Sequence, residues 1–497
     1  MKYISTRDTS LSVSAAEAIV QGLSAEGGLF VPESFPAVSL EETLSFARQG
    51  YAACAAAVMG KYLTDFTLEE LRGMTEKAYA GFDDPAVVPL TDVGGGEHIM
   101  ELFHGPTLAF KDMALQMLPR LMAASIAKTG EKDKVLILVA TSGDTGKAAL
   151  EGFADVPGTA ILVFYPEDGV ADMQKLQMTT QKGENVSVCA VHGNFDDAQS
   201  GVKAIFSSAE IAEKLKKAGY RLSSANSINW GRLVPQIAYY FWAYSMLAEK
   251  SAMKAGEEID FVVPTGNFGD ILAGYYAKRM GLPVRKLVCA SNANRVLTDF
   301  FETGVYDKNR PFHKTSSPSM DILISSNLER LLFEASGRDP AAVSGWMEEL
   351  KQQGRYDIGK KAFESIINDF DAGCATEEEA FCALACVFER TGVVIDPHTA
   401  VAQAVYDRRK DRTVSVILST ASPYKFPQDV LLAIEPDKVP PKDGFEACLA
   451  LSEHTKTKVP DQILSLKDAP VRFADSCEKG GMKNALFSAL ERWREGR

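Results

Sequence analysis

The sequence has no paired cysteine framework. Its 8 cysteines, at 54, 189, 289, 374, 382, 386, 448 and 477, are scattered along 497 residues, as expected of a chain kept in a reducing compartment. Cys382 and Cys386 stand one helical turn apart with no His or further Cys near them in sequence. They read as a packed helix face rather than half a metal site. Basic residues are in deficit: 53 Lys plus Arg face 66 Asp plus Glu, a net charge of −13. That balance disfavours nucleic acid or an anionic membrane as a partner. The strongest apolar runs, Val135–Ala140 and Ala160–Tyr165, fall far short of a membrane span. The opening MKYISTRDTSLSVSAAEAI lacks an apolar signal core, so the expected location is the cytoplasm. There is no internal repeat or low-complexity tract. A hydrophobic share of 46% with 24% charged residues excludes a disordered or collagen-like chain.

What is present is an alternation of β-rich runs and helical patterns. VLILVA (135–140), AILVFY (160–165), VSVCAV (186–191), FVVP (261–264), KLVCA (286–290) and VSVILS (414–419) are continuous apolar runs. Helical stretches follow at 146–154, 170–181, 198–218 and 270–280, and again after Pro427. Such runs indicate a buried parallel sheet with both faces covered, so the fold class is α/β. Residues 1–95 read as mainly helical, with Leu40–Val58 and Leu68–Ala80 at helical spacing and Gly94–Gly96 as a boundary. Residues 300–400 also read as helical. The charged end ERWREGR reads as a solvated helix face.

In an open parallel sheet, ligands sit beyond the carboxyl ends of the strands. Three turns there stand out: TSGDTG (141–146), TGNFGD (265–270) and STASPYKF (419–426). TSGDTG opens a helix and suits an anion. It is not a P-loop, because Gly146-Lys147 is followed by Ala148 and the position five before Gly146 is Thr141. TGNFGD lacks the GxGxxG dinucleotide pattern, yet Gly266 and Gly269 permit close backbone approach to a ligand. Its plain alternative is a tight turn with Asp270 as a helix cap. HGNFDD (192–197) lacks the second glycine and reads as a loop. Lys111, in ELFHGPTLAFKDMALQMLPRLM (101–122), falls at a helix start. The helix dipole and burial beside Phe110 would lower its pKa and favour a nucleophilic amine. A surface lysine with Asp112 as first-turn helper is the alternative.

At HGPTLAFKD the chain resembles the threonine synthase family, fold-type-II enzymes dependent on pyridoxal 5′-phosphate (PLP). YISTRD, GLSAEGGLFVP, ATSGDTGKAA, SSANSINWGRLVPQ, VPTGNFGDILAG, DPHTAV and LSTASPYKF extend the resemblance over most of the chain, toward the longer bacterial and fungal type. The resemblance implies a tryptophan-synthase-β-like fold with an extra N-terminal domain over 1–95. A large PLP-binding domain would comprise 96–134 and 250–430, a smaller α/β domain 135–249, and a helical extension 431–497. It implies that Lys111 carries PLP covalently and moves substrate protons. Gly266, Asn267, Phe268, Gly269 and Asp270 would hold the cofactor phosphate. Thr420 would face the pyridine nitrogen, and Asp144 would lie near the cofactor 3′-oxygen. Ser142, Gly143 and Thr145 would receive the amino-acid end of the substrate, and Asn226, Ser227, Asn229 and Arg232 its phosphate. The implied reaction converts O-phospho-L-homoserine and water to L-threonine and phosphate. One departure stands at Ser422, where the family pattern STAHP carries His.

A threonine or serine dehydratase of the same fold is the rival reading. NSINWGR argues against it, since a dehydratase needs no second phosphate site. A non-catalytic homologue would be expected to lack Lys111. His98, His192, His313 and His454 show no ligand spacing, so no metal is expected. His104 is a candidate for positioning Lys111, and His398 reads as structural.

Overall fold

Each continuous apolar run forms a strand, and two parallel sheets carry the fold. The computed structural model describes residues 1–141, 143–167, 170, 172–409 and 413–495. The larger sheet has the order Phe370–Cys374, Val284–Ser291, Ile259–Pro264, Ser415–Ser419, Glu97–Glu101, Leu90–Gly94. Its neighbours are parallel except the last pair. The smaller sheet has the order Ser476–Glu478, Val186–His192, Thr159–Pro166, Lys134–Ala140, Tyr220–Ser223, all parallel. Parallel pairing requires crossovers, and helices supply them. The helix Trp230–Glu249 leads from the smaller sheet back to the larger and is buried along almost its whole length. Such a helix is apolar all round because every face meets protein. One face packs on the N-terminal helices Leu40–Gln49 and Tyr51–Tyr62. Trp242 on it donates from Nε1 to Val88 O at 2.8 Å.

Several boundaries differ from the sequence pattern. The helix expected over Leu40–Val58 is two helices, broken where Gly50 takes φ 86°, a left-handed conformation that glycine reaches without strain. The helical stretch 198–218 is likewise two helices, Phe195–Ser207 and Ala209–Lys217, with Ser208 capping the second. The decoy HGNFDD is a helix start: Asn194 and Asp197 form a capping box. Gly94–Gly96 is not a domain boundary. It is the turn of the antiparallel hairpin between Leu90–Gly94 and Glu97–Glu101, so a boundary at residue 95 would divide one sheet. Residues 300–400 contain the strand Phe370–Cys374 at a sheet edge and the short pair Val305–Asp307 and Arg355–Asp357.

The C-terminal segment is not a helical extension alone, because Ser476–Glu478 completes the edge of the smaller sheet. Met482, Leu486, Ala489 and Leu490 of the last helix are buried in that sheet's core cluster, so only part of the helix is a solvated face. Cys382 and Cys386 are exposed on the helix Glu377–Thr391 and do not form a packed face. Among the described residues, no His, Cys, Asp and Glu cluster could hold a metal ion, and no helix is long and apolar enough to cross a membrane.

Candidate active site

The turns after the strands of both sheets converge on Lys111. The segment leaving Glu97–Glu101 is locked by Asp112, whose carboxylate accepts from Thr107 N at 2.8 Å and Thr107 Oγ1 at 2.7 Å. Gly105 lies so close that a Cβ there would stand 2.5 Å from Asp112 Oδ2. Leu108 takes φ 59° to make the bend. The loop leaving Ser415–Ser419 then runs antiparallel to Leu108–Phe110. Phe110 N donates to Thr420 O at 2.8 Å and Ser422 N to Leu108 O at 3.0 Å, with a bridge between Ala109 and Ala421. This pairing sets Thr420 beside Lys111, the first residue of the helix Lys111–Leu115. Ser422 accepts from Tyr424 N and caps the turn Pro423–Lys425, so the residue that departs from the family pattern has a local role.

Lys111 Nζ lies 3.7 Å from Asp144 Oδ2 and 3.1 Å from Ser319 Oγ. Burial lowers its pKa to about 8. Asp144 opposes that shift, while Lys425 and Arg232 add to it. The amine is therefore available near neutral pH, as a proton acceptor requires. Asp144 begins the helix Asp144–Phe153. Its Oδ1 meets Lys425 Nζ at 2.6 Å and Gln174 Nε2 at 2.8 Å. Burial alone would raise the Asp144 carboxyl, but the Lys425 and Lys111 ammonium groups overcome it and hold the group well below the usual range. Gly143, at φ 149°, is pressed on the Gln174 side chain. The expected role of Ser142 falls outside the described residues.

Two anion-suited loops meet beside this amine. In TGNFGD, Phe268 adopts φ 64° and the helix Gly269–Arg279 starts at Gly269. A Cβ on Gly266 would stand 2.6 Å from Ser319 O. Asp270 is not a helix cap. Its Oδ1 accepts from Tyr239 Oη at 2.5 Å and Tyr240 Oη at 3.1 Å, and its Oδ2 is buried without a partner among the described residues. Burial raises its pKa to about 7, against the pull of the two hydroxyls. The second loop is Asn226–Arg232. A Cβ on Gly269 would lie 3.6 Å from Ser227 Cβ, so the two loops are neighbours. Arg330 fixes both from behind. It donates to Ile228 O and to Asn327 Oδ1, while Asn327 donates to Asn267 O.

Arg232 is buried and donates to Ala225 O at 2.8 Å, and burial lowers its guanidinium to about 10. Asn229 is taken up by the protein: it caps the helix Trp230–Glu249 through Gly231 N and donates to Ile19 O and Ser224 O. His104 does not reach Lys111. Asp83 and Glu101 hold its ring at 2.7 and 2.9 Å and raise its pKa to about 9 although burial opposes them.

The site fits a PLP group. The cramped glycine at 266 and the helix start at Gly269 form a tight backbone cradle of the kind that takes a phosphate. A buried amine of lowered pKa faces it. Ser319, Lys425 and Gln174 also belong to the centre, although the sequence pattern did not single them out. Lys425 sits inside the flagged loop STASPYKF, and a lysine in a buried turn was the available signal.

The comparisons agree with this geometry. The family model described as "Pyridoxal-phosphate dependent enzyme" matches residues 93–419, so the chain is a PLP-dependent enzyme of fold type II. "Threonine synthase N terminus" matches 2–79 and "Threonine synthase, C-terminal" matches 399–479. The threonine synthase of Pseudomonas aeruginosa is 40% identical, covering 86% of this chain and 90% of its own length. The PLP-bound threonine synthase structure from Brucella melitensis has TM-score 0.88 and 38% identity, covering 99% of this chain and 100% of that one. Threonine synthase-like 1 of Macaca fascicularis is 41% identical over 87% of this chain, which spans only 61% of that longer protein. The chain belongs to the threonine synthase family.

Proposed function

We propose that the protein converts O-phospho-L-homoserine and water to L-threonine and phosphate in the cytoplasm, with PLP bound at Lys111. The observation that carries this reading is the junction of the two anion loops, where Ser227 neighbours Gly269 and Arg330 braces both. One loop suits the cofactor phosphate, and the other offers a second phosphate site. PLP supplies an electron sink. The chain's own residues do the rest. The Lys111 amine takes protons from the substrate α- and β-carbons; as phosphate leaves the γ-carbon that carbon is protonated, water adds at the β-carbon, and a proton returns to the α-carbon. Asn226, Ser227 and Arg232 hold the leaving phosphate as charge develops on it, and Asn229 keeps that loop in place. Gly143 and Thr145, with Ser142, receive the amino-acid end. Thr420 would offer a neutral hydroxyl to the ring nitrogen of the bound cofactor, and Asp144 would lie near its 3′-oxygen.

The test is to load the purified protein with PLP, supply O-phospho-L-homoserine, and follow L-threonine and phosphate together. Equal amounts of both are expected. Formation of a 2-oxo acid from L-threonine or L-serine, with phosphohomoserine untouched, would replace this reading with that of a dehydratase.

A further inference from the structure

Ser319 is fixed at both of its backbone groups and presents its hydroxyl to the reactive amine. It lies in the short turn Pro318–Met320. Its N–H donates to His398 Nε2 at 3.2 Å. Its carbonyl packs on Gly266, where a Cβ would stand 2.6 Å away. His398 is in turn held by Asp396, with Nδ1 2.6 Å from Asp396 Oδ2. Asp396 is itself anchored: it caps the helix Pro397–Asp407 through His398 N and Thr399 N and accepts from Thr399 Oγ1. These partners assign the tautomer. The proton sits on Nδ1, toward the carboxylate, and Nε2 is left bare to accept the Ser319 N–H. The ring stands edge-on to Phe426 at 5.1 Å, and both His398 and Asp396 are buried.

The Ser319 hydroxyl is poised between two groups. Its oxygen lies 3.1 Å from Lys111 Nζ and 3.5 Å from Asp144 Oδ2. A hydroxyl has lone pairs to accept with and one proton to donate. It therefore accepts from the lysine while its own proton turns toward the carboxylate.

We propose that Ser319 is a further catalytic residue, whose hydroxyl holds the Lys111 ammonium during proton transfer, and that His398 and Asp396 are the positioning pair that aims it. The proposal rests on the reading that Lys111 moves substrate protons. The step balances simply: the proton leaves a substrate carbon for Lys111 Nζ and is returned from Nζ, and Ser319 forms no covalent bond. The hydroxyl adds a neutral acceptor that stabilises the charged amine in a crowded field. The charged groups facing that amine are Asp144, Lys425, Arg232 and Asp270. The Phe110 ring lies 5.3 Å from Nζ on another side. DPHTAV, which reads as structural in the sequence, thereby gains a place in the reaction.

The experiment begins with cofactor-free protein, so that it reads the lysine and not turnover. Lys111 is reductively methylated with formaldehyde and cyanoborohydride across a pH series, and the modified peptide is quantified by mass spectrometry. Ser319→Ala should move the Lys111 midpoint down by about half a unit to one unit, since the charged form loses an acceptor. His398→Leu should move it the same way. His398→Gln, whose amide oxygen can still accept the Ser319 N–H, should restore most of it, and Ser319→Thr should stay near wild type. In the PLP-loaded enzyme, Ser319→Ala and His398→Leu should lose about tenfold to a hundredfold in kcat with little change in KM. A thermal melt of each variant separates this from unfolding. An unmoved Lys111 midpoint in Ser319→Ala overturns the proposal, as does a kcat loss in folded His398→Leu that Gln fails to recover. A wild type inactive on phosphohomoserine, with a Lys111 midpoint that still shifts in Ser319→Ala, would sink the proposed reaction while upholding the Ser319–Lys111 pairing.

Discussion

Lys425 sets its ammonium 2.6 Å from Asp144 Oδ1, with both side chains almost wholly buried. The second oxygen of the same carboxylate faces Lys111 at 3.7 Å. One carboxylate thus serves two lysines, and the shorter contact is with Lys425, not with Lys111, the lysine proposed to carry the cofactor. Lys425 is also tied to Thr107 O at 2.9 Å, which joins STASPYKF to the turn ahead of Lys111. The arrangement fixes the carboxylate and leaves the longer, weaker contact to Lys111, the lysine proposed to move protons.

Removing Lys425 should be costly. Lys425→Met keeps most of the volume but leaves Asp144 with its weaker partner, and breaking a buried pair costs about 3–5 kcal/mol. The Asp144 carboxyl is depressed in the fold. Its contribution is therefore present above the usual carboxylate range and is lost only as pH falls through the lowered value. The wild type should outlast Lys425→Met in urea at pH 7, and the gap should narrow as the medium is acidified below about pH 4. Equal stability at pH 7 would contradict the pairing.

Replacing Lys111 should abolish turnover without unfolding the protein. The sign of its stability effect follows from the lowered pKa. Folding moves this ammonium from its ordinary value of 10.5 down to about 8. Between those values the unfolded chain binds more protons, so stability rises with pH there. Lys111→Met removes that dependence. The variant should equal or exceed wild-type stability at pH 7, by up to about 3 kcal/mol, and the difference should shrink toward pH 10. Urea titrations of both proteins at pH 7, 8.5 and 10 measure it. A variant with near-normal activity would end the assignment of Lys111.

Asp270 should show the opposite sign. Its carboxyl is raised from 3.8 to about 7 by burial, so the stability it contributes is fully present below its unfolded value and is lost as pH rises through about 7. Asp270→Asn keeps an oxygen for Tyr239 and Tyr240 and cannot ionise. The variant should match the wild type only below about pH 4, gain on it as pH rises toward about 7, by up to a few kcal/mol, and hold that lead above neutrality. Parallel curves from pH 4 to 7 would show that the Asp270 carboxyl is not raised by folding.

The parts of the site legible in the sequence are those built by one segment. Lys111 at a helix start and TGNFGD after a strand each announce themselves through local chemistry. Ser319 does not, because it reaches Lys111 from 208 positions away and only the sheet topology brings the two together. Gln174 arrives at Asp144 the same way. Asn229 illustrates the reverse. Its place in NSINWGR suggests a ligand, yet the fold uses its amide on Gly231, Ile19 and Ser224. The parallel sheets were legible because their strands are buried on both faces and read as apolar runs. Ser476–Glu478 carries no such run, since an edge strand of exposed Ser and Glu has no periodic signal.

With a net charge of −13, the protein's overall field does not draw in a phosphate dianion, so binding must come from local donors. Arg232 is the charged one among Asn226, Ser227, Asn229 and Arg232, and its buried guanidinium makes one hydrogen bond among the described residues, to Ala225 O. A guanidinium has five N–H donors in a planar fork, so donors remain for an oxyanion. Asn229, whose amide is engaged within the protein, should matter for folding of the loop instead. Arg232→Ala should then lose about 1.5–3 kcal/mol, or about one to two orders of magnitude in kcat/KM for O-phospho-L-homoserine. PLP occupancy should be unchanged, because TGNFGD is a separate loop. Inorganic phosphate should compete with substrate in the wild type and much less in the variant. If Arg232→Ala sheds PLP while the substrate kinetics of the remaining holoenzyme are normal, the two phosphate sites are exchanged. Titrating both PLP and phosphate against each protein decides between the two arrangements.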